Sequence, residues 1–441
     1  MHSYRPTMRM VLLSVAGALI WLLPAISALP GWICGISSIG LLAIAIVDLV
    51  RSRGNDIEIR CISPQPIRIS VGQSAKLLLQ AKSPLLSPGS SMVLDLPQGL
   101  ILDEMQTTEE SDKEGETVFN TSIQLSGEQR GSFKIQECIC ECFSGWGLWH
   151  TSHLVVMDIS IQVFSNIKKQ FRKMNPAFLN QDQHGSHHLR LLGKGREFEK
   201  LREYVRGDAI EDIHWKATAK RNKLVTKEFQ MERTQEICTV IDHSRMSGRL
   251  QDDGQILLEG YLGAAAAFNA ILARQGDRIG WISFAETITR LAKPRTGARQ
   301  ALAFQQAMHD IQPRQVSPDF HELVTTIRTQ FRRRSLLLIL TDLRDPVAAE
   351  QLLEQIPALT SQHKVTVVSA IDNAIHPVFS RRVESRPEVY EHIAAHLQWS
   401  ELQGLQKRFQ SAGASLLLSH ADRFAADLMQ AYLTIRKRQV L

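Results

Sequence analysis

The residues best suited to chemistry in this chain are two aspartates that each follow an apolar run. Asp242 ends the run ICTVID, and Asp342 follows the run LLLILT. Near-continuous apolar runs of this kind are typical of strands buried on both faces of a parallel sheet. In such sheets the carboxyl ends of neighbouring strands meet at the crevice where ligands bind. We therefore expect Asp242 and Asp342 to lie close together.

Hydroxyl groups near these carboxylates would complete a set of hard oxygen ligands. Ser244 lies two residues after Asp242, and Thr296 lies in PRTGAR, between a short predicted strand and a helix. Carboxylate and hydroxyl oxygens are the ligands that Mg²⁺ prefers. The sequence thus predicts a magnesium site made of Asp242, Ser244, Thr296 and Asp342. In the alternative interpretation, Asp242 and Ser244 only bond turn amides and cap the following segment.

Alternating strands and helices must position these residues. Predicted strands cover 236–242, 277–284, 287–291, 335–341, 364–370 and 414–419, and predicted helices cover 257–274, 299–311, 320–332, 347–356, 390–409 and 421–436. This alternation indicates a parallel, doubly wound α/β sheet over residues 235–441. No GxGxxG follows the first strand and no GxxxxGK[ST] occurs in the chain, which argues against dinucleotide and P-loop sites.

The N-terminus carries two apolar runs of membrane-spanning length. Residues 11–29 and 32–50 each approach the ~20 residues that a transmembrane helix needs. The flanking basic residues are Arg5, Arg9, Arg51 and Arg53. Because positive charge stays in the cytoplasm, we predict a two-pass transmembrane hairpin over residues 1–54 with both ends cytoplasmic. The alternative is a cleaved signal peptide followed by a stop-transfer segment.

Residues 55–165 show apolar and polar residues in alternation and no helical period. We predict a small antiparallel β-sandwich here. In its clearest strand, one face is predicted to hold Phe133, Ile135, Ile139 and Phe143, and the other Cys138, Cys140 and Cys142. Same-face residues on a strand lie about 6–7 Å apart. This spacing favours small buried hydrophobic side chains over ligands of one tetrahedral ion, which is the alternative.

Residues 166–234 form a connector that ends in a charged segment, GREFEKLREYVRGDAIEDIHWKATAKRNK. A first helix is predicted from apolar residues at helical spacing, which are Phe198, Leu201, Tyr204 and Val205. Asp208 and Glu211 have the form of a capping box for a second helix, in which Trp215 would be a core residue. The basic residues after it would form a solvated face, or a patch for acidic lipid or an acidic partner.

Two resemblances arise from these residues. Asp242-His243-Ser244, with Thr296 and Asp342, resembles the von Willebrand factor type A domain, whose Asp-x-Ser-x-Ser, Thr and Asp bind a divalent ion. Met246 stands where that pattern has a serine, and a thioether is a soft ligand poorly suited to magnesium.

The charged segment resembles the signature of the bacterial membrane family called domain of unknown function 58. The matching residues are Gly195, Glu197, Phe198, Leu201, Arg202, Tyr204, Gly207, Asp208, Ile213, Trp215, Lys216, Ala217, Thr218, Ala219 and Lys220. The family usually has an arginine shortly after the Gly-Asp, where this chain has Glu211 and Asp212. As signature or partner-binding residues we select Glu197, Arg202, Tyr204, Asp208, Trp215 and Lys216.

The family resemblance implies a membrane-anchored protein-interaction module and not an enzyme. It implies a bacterial inner-membrane protein with cytoplasmic soluble domains, and a MoxR-type AAA+ ATPase as partner in chaperone-like or envelope-related assembly. The alternative is a magnesium-dependent phosphoester hydrolase that uses the Asp242/Asp342 crevice. No nucleic-acid partner is expected, because Arg332-Arg333-Arg334 directly precede a predicted buried strand, the signature lacks interleaved exposed aromatic residues, and the predicted membrane anchor argues against it.

Overall fold

The computed structural model describes residues 3–21, 31–53, 57–83, 90–111, 117–173, 192–205, 209–230, 235–251, 254–372 and 386–437. The chain forms two compact units, Met1–Asn166 and Ile167–Leu441. Each unit is described separately below. The finer division at residues 54, 165 and 234 stays a prediction.

The first unit begins with strand β1 (Ser3–Pro6) and two apolar helices, α1 (Met8–Ile20) and α2 (Gly31–Arg53). Only one stretch in the described residues, Gly35–Ser52 within α2, is long and apolar enough to cross a membrane. Helix α1 is apolar but has 13 residues, fewer than the ~20 that span a bilayer. The turn of the predicted hairpin, residues 22–30, lies outside the described residues, so the two-pass hairpin stays a prediction.

The C-terminal part of α2 is held by a buried acidic side chain. The Asp48 carboxylate accepts hydrogen bonds from the Ser144 hydroxyl and, at 3.0 Å, from the Trp146 amide. The Trp149 indole donates to the Ala45 carbonyl at 2.9 Å. Because a buried carboxylate needs such donors, Asp48 ties this end of the helix to the turn between two strands of the unit.

Two sheets follow the helices. Their strands are β2 (Glu58–Cys61), β3 (Ile67–Ser70), β4 (Ser74–Lys82), β5 (Ser91–Leu94), β6 (Leu100–Ser111), β7 (Thr117–Gly127), β8 (Gly131–Phe143) and β9 (Trp149–Phe164). One sheet has the order β1-β9-β8-β5, with β3 also against β9, and the other has the order β2-β4-β7-β6. Residues of both sheets, such as Leu77, Ile123, Ile135 and Ile161, form one apolar core. The predicted strand content of this region is confirmed.

The three closely spaced cysteines are buried packing residues. Cys138, Cys140 and Cys142 are reduced and pack with Ile57. Burial raises the pKa of Cys142 to about 11, which keeps its thiol protonated at neutral pH. No three potential metal ligands cluster anywhere among the described residues. The prediction of small buried hydrophobic side chains is confirmed.

The predicted faces of β8 are wrong. The register of β8 against β9 shifts between Ile135 and Glu137. Ile135 and Cys138 are therefore both buried, whereas Ile139 is exposed. An irregularity of this kind moves the following side chains to the opposite face of the strand.

The second unit begins with α3 (Ile167–Lys173) and the charged segment. That segment forms strand β10 (Leu192–Glu203), a 3₁₀ turn (Ile210–Asp212), α4 (Trp215–Arg221) and strand β11 (Val225–Gln230). The first predicted helix is wrong, because β10 pairs antiparallel with β11. A register shift between Phe198 and Lys200 interrupts the two-residue alternation that marks a strand. The apolar residues of this segment therefore show spacings of three and four residues, which are typical of a helix.

The rest of the unit is a six-stranded sheet with helices on both faces. Its strands are β12 (Glu236–Asp242), β13 (Arg278–Phe284), β14 (Ile288–Arg295), β15 (Leu336–Leu340), β16 (Lys364–Ala370) and β17 (Ser415–Ser419). Its helices are α5 (Leu257–Arg274), α6 (Ala298–Met308), α7 (Phe320–Gln330), α8 (Pro346–Thr360), α9 (Arg386–Ser411) and α10 (Phe424–Lys437). The order is β14-β13-β12-β15-β16-β17, and β14 alone among these strands runs antiparallel to its neighbour.

Strand β12 explains why this sheet has two cores. Ile237 and Ile241 point to one face and pack with helices α5, α6 and α10, whereas Cys238 and Val240 point to the other and pack with α7 and α8. Successive side chains of a strand alternate between faces, so a strand covered on both sides must be apolar throughout. The predicted doubly wound sheet is confirmed.

Gly280 allows β13 to lie close to β14. A Cβ added at Gly280 would lie 2.9 Å from the Ala292 carbonyl oxygen and 3.1 Å from the Pro294 ring. Both neighbours belong to the rigid edge strand β14, so neither can move aside easily.

We predict that Gly280→Ala lowers the free energy of unfolding by about 1–3 kcal/mol, because the added methyl group overpacks the strand pair. Gly404→Ala is the control, since Gly404 is exposed in α9 and has nothing within 4 Å of an added Cβ. It should raise stability by about 0.5–1 kcal/mol. Urea unfolding in detergent, followed by circular dichroism, measures both. Equal stability of the two variants would contradict the packing argument.

Candidate functional site

The candidate site is the crevice between the carboxyl ends of β12 and β15. The chain leaves β12 towards β13 and β14 on one side and returns to β15 on the other. Asp242 is the last residue of β12, and Asp342 follows the end of β15. Ligands of open α/β sheets bind at this reversal of strand order. The structure therefore brings Asp242 and Asp342 to the same edge.

The Asp242 carboxylate is buried and accepts hydrogen bonds from neighbouring residues of the crevice. The residue is 1% exposed. One carboxylate oxygen accepts the Ser244 amide at 2.8 Å, and the other accepts the Thr341 hydroxyl at 2.6 Å. Burial raises the pKa of Asp242, and these hydrogen bonds oppose the rise only in part. The bond to the Ser244 amide is the contact expected from the alternative interpretation, in which Asp242 only bonds an amide of the turn that follows it.

Asp342 is neutralised by an arginine that lies more than 90 residues earlier in the chain. Its Oδ2 accepts from Arg249 Nε at 3.2 Å, and its Oδ1 accepts from the Arg344 amide at 3.2 Å. Arg249 Nη1 also donates to Asp372 at 3.0 Å, and the Arg344 guanidinium pairs with Asp372. Burial raises the pKa of Asp342, and Arg249 is the strongest opposing influence. The crevice thus contains a network of two arginines and two aspartates.

This donor set does not fit a magnesium ion. Both carboxylates already accept hydrogen bonds, and Asp342 also faces the positive charge of Arg249. Ser244 has a buried hydroxyl without a partner of normal hydrogen-bond geometry in the described part of the chain. Mg²⁺ can keep several waters, but it needs carboxylate oxygens that are free to bind it, and here these oxygens are occupied.

Thr296 lies at the opposite edge of the sheet, so its placement in the crevice is wrong. Because β14 is antiparallel to β13, its last residue, Arg295, pairs with Ile279, whereas Asp242 pairs with Phe284. At ~3.3 Å per residue, those two positions of β13 are about 17 Å apart. A hydroxyl after a strand reaches this crevice only if the strand runs parallel to its neighbours.

The loop that does reach β12 is the one between α6 and α7. The Arg314 amide donates to the His243 carbonyl at 2.8 Å, and the Arg245 amide donates to the Val316 carbonyl at 3.0 Å. The exposed Ser317 follows in the same loop. Nothing in the sequence pattern distinguishes this loop from other polar connections.

The sequence analysis missed Arg249, Asp372 and Tyr261. Asp372 follows β16, so the signal used for Asp342, a carboxylate after a buried strand, could have found it. Tyr261 is fully buried, and the charges of Asp342 and Asp242 add to burial in raising its pKa. Arg249 lies in a loop with no pattern of its own, and only the folded chain shows its partners.

The signature residues belong to the segment before β12, and part of them lie beyond what the structure describes. Glu197 belongs to β10, but its side chain lies outside the described part, as does the whole of Asp208. Arg202 and Tyr204 are half-buried, and the Tyr204 amide donates to the Leu224 carbonyl at 2.9 Å. Lys216 is exposed.

Trp215 is not a core residue, as predicted, but a surface residue. It is the first residue of α4 and is 63% exposed. His214 caps the helix through its Nδ1, which accepts the Ala217 amide at 3.1 Å. The helix has 7 residues and leaves Trp215 exposed at its first position.

The strand order and the site define the class of this protein. A doubly wound sheet with one antiparallel edge strand, and an Asp-x-Ser after the central strand, is the arrangement of a von Willebrand factor type A-like domain. Residues 200–377 match the family model described as "Protein of unknown function DUF58". The chain carries this family's region, which confirms the resemblance drawn from the signature.

Solved structures with a similar fold share little sequence with this chain. The SpRpn10 VWA domain is 12% identical, with 45% of this chain and 95% of that chain covered and a TM-score of 0.29. BatB, a conserved hypothetical protein from Bacteroides thetaiotaomicron, is 14% identical, with 46% and 99% covered and a TM-score of 0.30. An uncharacterized membrane spanning protein from Vibrio fischeri is 17% identical, with 46% and 98% covered and a TM-score of 0.18. Likeness at this level carries no argument about function. No curated protein matches the chain.

The buried carboxyl of Asp242 predicts a pH dependence of stability. Its folded pKa lies above the ~3.9 of an unfolded aspartate. The folded state therefore keeps a proton that the unfolded chain has lost above pH ~4, and the free energy of unfolding falls as pH rises from there until the folded carboxyl also ionises.

We predict that Asp242→Asn flattens this fall, because an amide does not titrate. Asp319→Asn is the control, since Asp319 is exposed and caps α7, a position that asparagine also fills well. Urea unfolding of the detergent-solubilised chain between about pH 4 and 7 measures the slopes. Identical slopes for wild type and Asp242→Asn would rule out a raised pKa at this position.

Proposed function

We propose that this chain is a membrane-anchored protein-interaction module of a bacterial inner membrane. In this proposal, residues 1–54 form a two-pass hairpin, residues 55–165 form a β-sandwich, and both soluble regions are cytoplasmic. The apolar helix α2 and the basic residues flanking the apolar runs support the membrane anchor. Domains of the type A class and this family are typically interaction modules, which supports binding and not catalysis as the function.

The observation that carries the proposal is a set of exposed apolar side chains in the family region. Val205, Ile210, Trp215 and Leu224 are each large, apolar and exposed. Backbone hydrogen bonds join their segments, from the Tyr204 amide to Leu224 and from the His214 amide to Val225. We call these four residues the signature patch. Exposed apolar side chains grouped in this way mark interaction sites.

The composition of the signature patch suits protein recognition. Tryptophan is enriched among the residues that contribute most to binding free energy, because it buries a large rigid surface and still offers a hydrogen-bond donor. The exposed Lys216, Lys220 and Lys223 lie in the same segment, and Lys223 pairs with Glu203 at 3.2 Å. Exposed apolar side chains beside charged residues are the usual composition of a protein interface.

The partner that we propose is a MoxR-type AAA+ ATPase acting in chaperone-like or envelope-related assembly. The family resemblance is the reason for this choice, and the match to residues 200–377 covers the whole signature patch. The Asp242/Asp342 crevice belongs to the same matched region and would provide a second contact. Catalysis is not part of the proposal, since the carboxylates of the crevice are held in internal bonds.

We predict that Trp215→Ala weakens capture of the ATPase by roughly 30-fold or more, because truncating a central interface tryptophan costs about 2 kcal/mol or more. Leu302→Ala is the matched control, as Leu302 is an exposed apolar residue of α6 outside the patch. Quantitative mass spectrometry of pull-downs with full-length, detergent-solubilised variants measures the captured partner. Equal recovery with Trp215→Ala and Leu302→Ala would remove the patch from partner binding.

We predict that both chain ends are cytoplasmic. Green fluorescent protein fused to either terminus should fluoresce, and alkaline phosphatase fused to either terminus should be inactive, because that enzyme needs an oxidising compartment to form its disulfides. Reporters on the full-length chain in intact cells make the measurement. An active phosphatase at the C-terminus alone would instead indicate that α2 is the only spanning helix.

A further inference from the structure

Arg249 is the central cation of the crevice. Its guanidinium lies between carboxylates that follow two neighbouring strands, Asp342 after β15 and Asp372 after β16. The Asp342 carboxylate is fully buried, whereas the Arg249 side chain is 23% exposed. Arg249 therefore reaches inward from the rim of the crevice to a carboxylate that water does not reach.

The geometry points to Arg249 as a built-in replacement for a divalent cation, and we propose that the crevice works without a metal ion. The same edge of the sheet, the same Asp-x-Ser turn and the same second carboxylate occur where type A domains hold an ion. In this chain the positive charge opposite Asp342 belongs to the protein itself.

The backbone holds Arg249 in place on both sides. Its amide donates to the Met246 carbonyl at 3.3 Å, and its carbonyl accepts the Leu257 amide at the start of α5 at 2.9 Å. These bonds fix the backbone of Arg249, and its side chain makes two charge-assisted hydrogen bonds to Asp342 and Asp372. Arginine is suited to such a position, because its planar guanidinium binds carboxylates in defined directions.

A metal ion and Arg249 exclude each other. A buried carboxylate requires a counter-charge or hydrogen-bond donors, and Arg249 already satisfies Asp342. A guanidinium cannot lose its proton in a protein, so its charge would repel an ion at this distance. Met246 fits the same conclusion, because its thioether stands where a metal site would need an oxygen ligand.

The other charged groups at the crevice do not restore a metal site. Arg344 pairs with Asp372, and Arg245 pairs with Asp345 at 3.0 Å. In the described part of the crevice, the partly exposed Asp345 and Asp372 thus each have an arginine beside them. If the proposed interaction function holds, an acidic side chain of the partner would meet guanidinium groups here, and partner binding would persist in a chelator.

The test is a Mn²⁺ titration of the full-length, detergent-solubilised chain, followed by electron paramagnetic resonance of the free ion. It needs no partner, so its result is independent of the proposed function. The test variants are Arg249→Met and Arg249→Gln, which remove the charge, and Arg249→Lys, which keeps it. Arg245→Met is the matched control, since Arg245 pairs with a carboxylate at the rim.

We expect wild type, Arg249→Lys and Arg245→Met to bind no Mn²⁺ in the crevice. Arg249→Met or Arg249→Gln should gain one bound ion, with a Kd at least about tenfold below the highest Mn²⁺ concentration at which wild type shows no binding, and adding Asp342→Asn should abolish that gain. The proposal is overturned if wild type binds one ion that Asp342→Asn removes. It is also overturned if a neutral variant with a wild-type circular dichroism spectrum gains no binding. Should both neutral variants fail to fold, the wild-type titration with and without Asp342→Asn decides.

Discussion

Burial of two carboxylates at the carboxyl ends of the central strands β12 and β15 is the constraint on which the second unit depends. An aspartate that water does not reach must be hydrogen-bonded or paired. Asp242 meets this requirement with Thr341 and the Ser244 amide, and Asp342 meets it with Arg249. These bonds connect the ends of β12 and β15 to the turn after β12 and, through the Arg249 carbonyl, to the first turn of α5.

The second unit therefore has two chemically different surfaces. The crevice is rich in charge, but its arginines and aspartates largely neutralise one another. The signature patch has the opposite character, since its large side chains are apolar and exposed. Apolar surface supplies most of the driving force of association, whereas neutralised ion pairs supply mainly orientation and selectivity. If the proposed interaction function holds, the patch would supply most of the binding free energy and the crevice would supply selectivity.

Much of the fold could be predicted, and the errors share a cause. Strands such as β12 and β15 are apolar throughout because both of their faces are covered. This composition can be recognised in the sequence of the strand alone. The register shifts at Ile135 and Phe198 cannot be predicted from the sequence of one strand, because they depend on how that strand pairs with its neighbour. The same holds for Thr296, whose position follows from the direction of β14, and for Trp215, which the short α4 leaves exposed.

The sequence by itself determined the alternation of strands and helices, the meeting of Asp242 and Asp342 and the family to which residues 200–377 are matched. Each of these follows from local composition or from spacing along the chain. Only the tertiary structure decided which charge faces Asp342. Arg249 lies 93 residues from Asp342 in the sequence, and no local pattern marks it. The pairing arises because the sheet order brings the ends of β12, β15 and β16 together, and a buried carboxylate is stable only with the counter-charge that this order supplies.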